Sequence, residues 1–330
     1  MPTSSIRPHA RHSAFAALLM LGAAILGGCN SSNEASADTA GTSTSLTTTG
    51  TTGTATAAAS VYKDVAYASS SSAQQMDVYV PSGSGPFPAV VLIHGGAFMM
   101  GDKSGESANI AALNARGFVA VSINYRLSKE AAFPAAVQDC KTAVRFLRAH
   151  ATDYRINPDK IGAWGASAGG NLAAMLGTSA GVAELEGAEL GNADKSSRVQ
   201  AVVDWFGPIN FLTMDDEASA LGFTLNTNAA TSPESRYIGA AVQTVPAQVA
   251  KANPATYASA DDAAFFIQVG SADSNIPYTQ SANFYQTMRT AKGASSVQYE
   301  LLDGAGHGTS EFGSTANLQK VLAFLDQTLR

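Results

Sequence analysis

Beyond about residue 61 the chain alternates between short apolar runs and longer stretches in which apolar positions recur every three or four residues. In QMDVYV the residues Met76, Val78 and Val80 are spaced two apart, as on a half-buried strand. FPAVVLI (87–93) and FVAVSI (118–123) are continuous instead, which predicts strands covered on both faces. KIGAW (160–164), VQAVVDW (199–205), AFFIQVG (264–270) and VQYELL (297–302) are further runs of the same length class. Helix-length segments lie between and after them: 107–116, PAAVQDCKTAVRFLRAHA from Pro134, SAGGNLAAMLGT from Ser167, and the closing TANLQKVLAFLDQTL. This alternation predicts an α/β domain over 61–330, a mostly parallel sheet with helices on both faces. One stretch, about 211–258, has weak periodicity and several Gly, Pro and Asn residues. It reads as a short insertion covering part of a cleft.

Upstream of residue 61 the pattern changes character. RPHARH followed by AFAALLMLGAAILG is a basic segment and then an apolar run too short to span a bilayer comfortably, the order of an export signal over residues 1–28. The run closes in Leu26-Gly27-Gly28-Cys29, which resembles the bacterial lipobox, where the peptide is cut before the cysteine and the thiol is acylated. That resemblance implies export and lipid anchoring to the bacterial cell envelope through Cys29. Asn30 rather than Asp after the cysteine points to the outer membrane. Residues 29–60 are almost entirely Ser, Thr, Ala and Gly with Leu46 the one large apolar side chain, so they bury too little to fold. As a flexible tether they would hold the domain on the order of 30 Å from its anchor.

Composition narrows the function classes. A 45% hydrophobic and 14% charged chain of 330 residues builds a full core, and a formal charge of −6 offers no basic surface for nucleic acid or anionic lipid. Membrane contact is therefore expected only through Cys29. The second cysteine, Cys140, then has no disulfide partner and reads as a small buried hydrophobe on a helix.

Gly165-Ala166-Ser167-Ala168-Gly169 matches Gly-x-Ser-x-Gly, a pattern that chance supplies roughly a quarter of the time in a chain of this length and composition. Its context gives it weight: KIGAW enters as a strand and GGNLAAMLG leaves as a helix, the setting in which a strained turn projects the serine hydroxyl above a sheet. A nucleophilic serine needs a base. Of five histidines, His9 and His12 fall in the export signal, His94 lies in HGGAF and His150 ends an amphipathic helix. His307 remains, in the glycine-rich loop LLDGAGHGTSEF just beyond an apolar strand. The carboxylate that would orient it is expected at Asp273 in VGSADSNIP, giving the chain order Ser, Asp, His. Asp204, Asp303 and the Asp261/Asp262 pair are the rivals. Amide donors for an oxyanion are expected from Gly96 and Ala97 in IHGGAF and from Ala168 at the helix start, with Gly95 shaping the loop and His94 holding it without titrating. Phe98, Trp164, Trp205, Phe206 and the 211–258 insertion are candidates for the pocket wall. Neither a metal nor an organic cofactor is required by this chemistry.

These segments resemble α/β-hydrolase serine esterases, in particular the hormone-sensitive-lipase-like branch and bacterial feruloyl esterase-like (BD-FAE-type) carbohydrate esterases. The resemblance extends over nearly all of 61–330, from PFPAVVLIHGGAFMMGDK through INPDKIGAWGASAGGNLAAM and DWFGP to SADSNIPYTQSANFYQTMRTAKG and LLDGAGHG. It implies Ser167 as nucleophile, Asp273 as acid, His307 as base, and Gly96, Ala97 and Ala168 as oxyanion donors. Ala97 stands where the HGGG lipases carry their third glycine. An amide is still present there, while the shape of the acyl pocket differs. The long N-terminal cap of many lipid-oriented members is absent, which weighs against a lipase.

The expected function is a serine carboxylic ester hydrolase working through an acyl-enzyme. Acetyl or feruloyl esters of polysaccharides lead as substrates, with small aryl or alkyl esters next. A prolyl-oligopeptidase-like peptidase shares GxSxGG, yet these 330 residues contain no stretch for the large propeller such enzymes usually carry. The other alternative, a non-catalytic surface binding module on the same fold, typically lacks one of the three residues, and here all three are present.

Overall fold

The apolar runs become the strands of one eight-stranded sheet: β1 (Ser60–Ala66), β2 (Gln75–Val80), β3 (Phe87–Ile93), β4 (Val119–Ile123), β5 (Ile156–Ala166), β6 (Ala201–Trp205), β7 (Ala264–Gly270) and β8 (Val297–Leu302). This is a computed structural model, and it describes residues 57–330. The export signal, Cys29 and most of the tether lie outside the described residues. The expected tether end at 60 is already structured: Ser60 pairs with Val80, and the Ala57 carbonyl accepts from Gly83 N–H at 2.8 Å.

Strand order is β1-β2-β4-β3-β5-β6-β7-β8. The β1–β2 and β2–β4 pairs are antiparallel, and every pair from β4 to β8 is parallel. Nine helices accompany the sheet among the described residues: α1 (Ser107–Ala115), α2 (Ala135–Ala149), α3 (Ala168–Thr178), α4 (Ala183–Glu186), α5 (Met214–Ala220), α6 (Pro233–Ile238), α7 (Pro246–Lys251), α8 (Tyr278–Lys292) and α9 (Thr315–Leu329).

Successive strand residues point to opposite faces, which explains the continuous apolar runs. Val91, Ile93, Ala163, Val202 and Ile267 face α2, α3 and α8, through Val144, Leu172, Met175, Phe284 and Met288. Their neighbours Val90, Leu92, Trp164, Val203 and Phe266 face α1 and α9, through Leu113, Val321 and Leu325. Cys140 is buried in the first of these layers, as expected.

β2 departs from its pattern. Asp77, on the face the alternation assigns to solvent, is buried. Lys103 and Lys63 each place their Nζ 2.7 Å from its carboxylate, and Asp64 N–H donates to it at 2.9 Å. Burial alone would push this carboxyl up; the two lysines outweigh it and hold it below the usual carboxylate range. Residues 211–258 carry α5, α6 and α7 between β6 and β7. Their stretch at 225–234 forms much of the wall of a cavity at the carboxyl ends of the parallel strands, the end where open α/β sheets bind ligands.

Candidate active site

Ser167 sits where β5 turns into α3, with φ 57° and ψ −123°, a conformation uncommon for any residue with a Cβ. Its N–H donates to the Trp205 carbonyl at 2.9 Å, tying the turn to β6. The flanking glycines are there for contact. A Cβ on Gly165 would lie 2.1 Å from the Gly169 carbonyl oxygen, and one on Gly169 would lie 2.0 Å from that of Ile93 on β3. Only hydrogen fits at either position.

The loop after β8 brings His307 over this turn. Its Nε2 lies 3.0 Å from Ser167 Oγ and its Nδ1 lies 2.8 Å from Asp273 Oδ2. Asp273, in the loop after β7, is buried, and its other oxygen accepts from Asn275 N–H at 2.8 Å and Ile276 N–H at 2.9 Å. With one oxygen occupied by backbone amides, the second is free to take a proton donor. The Nδ1–H of His307 meets it, which leaves Nε2 as the acceptor for the serine hydroxyl. Phe206 packs its ring edge against the imidazole at 4.7 Å between centroids. The rival carboxylates are engaged elsewhere. Asp303 accepts from Ser271 Oγ at 3.3 Å, Asp262 from Ser259, and Asp204 from Gly207 N–H at 3.0 Å; Asp261 is exposed in the turn before β7.

Across from His307 lies the HGGAF loop. Ala97 (φ 56°) and Ala168 line the cavity beside Ser167, and their N–H groups meet no acceptor among the described residues. Gly96 sits one residue back, with φ 112°, and its carbonyl accepts from the N–H groups of Met99 and Met100 at 3.0 Å. His94 braces the loop as expected. Its Nδ1 is 2.7 Å from the Gly95 carbonyl, its ring stacks on Tyr125 at 4.5 Å, and Tyr125 Oη donates to its own carbonyl at 3.0 Å. Burial pushes its pKa down, so it stays neutral. Gly95 packs against the elbow, where a Cβ would meet the Ala166 carbonyl at 2.8 Å.

The cavity has a volume of about 440 Å³, room for a small ester. Together, a strained serine, an imidazole on it, a carboxylate behind and free amides in front fit nucleophilic attack on a carbonyl.

The BD-FAE family model matches residues 76–288. The chain belongs to the BD-FAE family.

Solved structures with this fold include a truncated carbohydrate esterase from gut microbiota, 32% identical with a TM-score of 0.74, covering 81% of this chain and 95% of that one. Esterase 2 of Thermogutta terrifontis, bound to propionate, is 25% identical with a TM-score of 0.62, covering 82% and 92%. Among curated relatives, the probable carboxylic ester hydrolase LipM of Mycobacterium tuberculosis is 28% identical over 72% of this chain, and esterase LipC of the same organism is 29% identical over 74%. The chain spans about half the length of these relatives, 54% and 59%. The fold of this BD-FAE chain is the α/β-hydrolase fold.

Three expected pocket residues, Trp164, Trp205 and Phe206, are not on the cavity wall. Trp205 points to the opposite face of the sheet, packs on Trp164 and Phe312, and donates Nε1–H to Gln268 Oε1 at 2.7 Å. Strand alternation from Asp204 explains why: its neighbour in sequence turns to the α9 side. Trp164 is core on that same side. Phe206 supports His307 instead of touching the cavity, whereas Phe98 does line it. The rest of the wall in this BD-FAE member comes from Pro208, Leu225, Asn226, Thr227, Ser232, Glu234 and Ile276. Small polar residues in an aperiodic insertion carry no pattern that would have singled them out. No cluster of three or more potential metal ligands occurs among the described residues.

Proposed function

We propose that this protein hydrolyses carboxylic esters through Ser167, His307 and Asp273. The observation that carries the reading is the continuous hydrogen-bond relay, 3.0 Å from Ser167 Oγ to His307 Nε2 and 2.8 Å from Nδ1 to Asp273. Ser167 Oγ attacks the ester carbonyl while Nε2 takes its proton, and Asp273 stabilises the imidazolium that results. The N–H groups of Ala97 and Ala168, with Gly96 contributing from the same loop, hold the developing oxyanion. Collapse breaks the bond to the alkoxide, which leaves with the proton from Nε2. Water, deprotonated by the same imidazole, then attacks the acyl-enzyme and releases the acid.

The favoured substrates are acetyl or feruloyl esters of polysaccharides, followed by small aryl or alkyl esters. Membership of the BD-FAE family and likeness to a gut carbohydrate esterase support that order. Turnover of 4-nitrophenyl acetate, methyl ferulate and acetylated xylan, set beside a prolyl amide, tests it; amide cleavage at comparable kcat/KM would overturn the ester reading. Ser167→Ala should lower kcat on the order of 10³–10⁶-fold and abolish labelling by a fluorophosphonate probe. Persistent labelling would remove Ser167 from the mechanism. The lipobox-like Leu26-Gly27-Gly28-Cys29 supports anchoring at the cell envelope, with the outer membrane favoured. Cys29→Ala should then abolish incorporation of labelled fatty acid and release the protein from the membrane fraction; unchanged fractionation would refute it.

A further inference from the structure

Among the described residues, Glu234 is the one acidic side chain in the wall of the cavity that opens on Ser167 and His307, and neither lysine nor arginine lines it. It is the second residue of α6 and is half-buried. Its local hydrogen-bond partners are its own N–H and the Ser232 hydroxyl, and that hydroxyl also reaches the Thr227 carbonyl at 2.7 Å and accepts from Ser235 N–H. Burial, opposed weakly by local hydrogen bonding and reinforced by the like charge of Asp215, pushes this carboxyl above the usual range. The remaining polar wall residues, Asn226, Thr227, Thr231 and Asn275, are neutral. A carboxylate offers about four lone-pair sites, more than these two local donors use, so in a concave site without a counter-charge it remains a strong acceptor.

We propose that Glu234 is a specificity-determining residue: it accepts hydrogen bonds from hydroxyl or ammonium donors on the ester substrate and excludes esters that carry a carboxylate. The assignment rests on the ester-hydrolase reading of the same cavity and adds a rule of charge to it. Hydroxyl and ammonium groups both suit a carboxylate that has no counter-charge and has acceptor sites to spare. A substrate carboxylate within the same cavity would lie several ångströms from it, where repulsion at an effective dielectric near 20 corresponds to roughly tenfold or more in binding. A purely structural role, an acid favouring the start of a short helix, would leave that discrimination untouched.

The test compares wild type with Glu234→Gln on matched esters, so that intrinsic reactivity cancels. The neutral references are 4-nitrophenyl acetate and 4-nitrophenyl butyrate. The carboxylate esters are 4-acetoxybenzoate, charged on the alcohol side, and mono-4-nitrophenyl succinate, charged on the acyl side. The donor esters are 4-(hydroxymethyl)phenyl acetate and 4-(aminomethyl)phenyl acetate, which separate hydroxyl from ammonium recognition. Relative to the neutral esters, Glu234→Gln should raise kcat/KM for at least one carboxylate ester about tenfold and lower it several-fold for at least one donor ester, with the gain shrinking in 0.5 M salt. Glu234→Lys should invert the preference. Equal factors for every substrate in both variants overturn the assignment while leaving the esterase reading intact. Failure of the wild type on both neutral esters would overturn the two together.

Discussion

Asp204 is a buried acid that the proposed mechanism does not use, and its burial has a calculable cost. The side chain is fully enclosed at the end of β6. Oδ1 accepts from Gly207 N–H at 3.0 Å, and Oδ2 has no partner among the described residues. Loss of hydration pushes its pKa from 3.8 to about 7, with the Gly207 hydrogen bond opposing. Since the folded state holds this proton more tightly than the unfolded chain, stability is full below pH 3.8 and falls as pH rises toward about 7. At 1.36 kcal/mol per unit the loss totals about 4 kcal/mol, of which about 2.5 kcal/mol falls between pH 5 and pH 8. Asp204→Asn is nearly isosteric, keeps an oxygen for Gly207 N–H and stays neutral throughout. Stabilities from urea unfolding should therefore converge or favour wild type near pH 5, and the variant should gain about 2.5 kcal/mol on wild type by pH 8, roughly 5–10 °C in midpoint. Taking the difference between the two proteins removes every other titrating group. Curves that run parallel from pH 5 to pH 8 would refute the claim that Asp204 is desolvated and unpaired.

Three further substitutions probe separate parts of the site. Asp273→Asn keeps the shape of the loop but removes the acceptor that orients Nδ1–H of His307, so kcat should fall about 10⁴-fold with little change in melting temperature; a drop under tenfold on 4-nitrophenyl acetate would reassign the acid. Gly169→Ala places a methyl 2.0 Å from the Ile93 carbonyl, backbone that has nowhere to go. Calorimetry should show a loss of at least about 3 kcal/mol, and a wild-type melting point would mean that α3 packs less closely on β3 than described. Trp205→Phe deletes a buried hydrogen bond and part of the core, costing about 1–3 kcal/mol with kcat/KM unchanged within about twofold. A large rise in KM at unchanged stability would return Trp205 to the pocket.

What was legible in the sequence follows from which residues are constrained on both sides. β3 and β7 occupy the predicted runs residue for residue, because strands inside a parallel sheet have no polar face; β8 matches its run too, although it is an edge strand on which only Val297 is buried. α8 is not legible in the sequence, because its buried positions include Gln280 and Ser281 beside Phe284 and Met288, which blurs the 3.6-residue period. β1 was equally silent: it is an edge strand with most of its residues exposed, and it follows directly on a Ser/Thr-rich run. That Ser167, Asp273 and His307 lie together is legible because so few histidines are available and because chain order limits the acid. The aromatics beside the site mislead for an opposite reason. Trp205 and Phe206 adjoin the site in sequence, but the pleat sends one to the far face and a turn with φ 44° sends the other behind His307.

The backbone strain has a distribution that only the three-dimensional arrangement reveals. Among the described residues, seven non-glycine positions have positive φ, and four of them, Ala97, Phe98, Ser167 and Phe206, surround the serine and histidine. Left-handed conformations at residues with a Cβ persist only where neighbouring structure over-determines them. Here the sheet supplies that restraint by continuing its hydrogen bonds one residue past the strand ends. Ser167 N–H reaches the Trp205 carbonyl at 2.9 Å, and Phe206 N–H reaches the Gln268 carbonyl at 2.7 Å. The HGGAF loop is held by other means, with Phe98 stacked 3.9 Å from Tyr237 and its carbonyl accepting from Ser128 N–H and Oγ, both at 2.8 Å. The serine, half-buried at the cavity, thus sits at a turn that cannot relax without breaking sheet hydrogen bonds, and the amides facing it are fixed before any substrate arrives. Preorganisation of that kind places the cost of orienting donors in folding and not in the reaction, which is the condition for stabilising an oxyanion strongly.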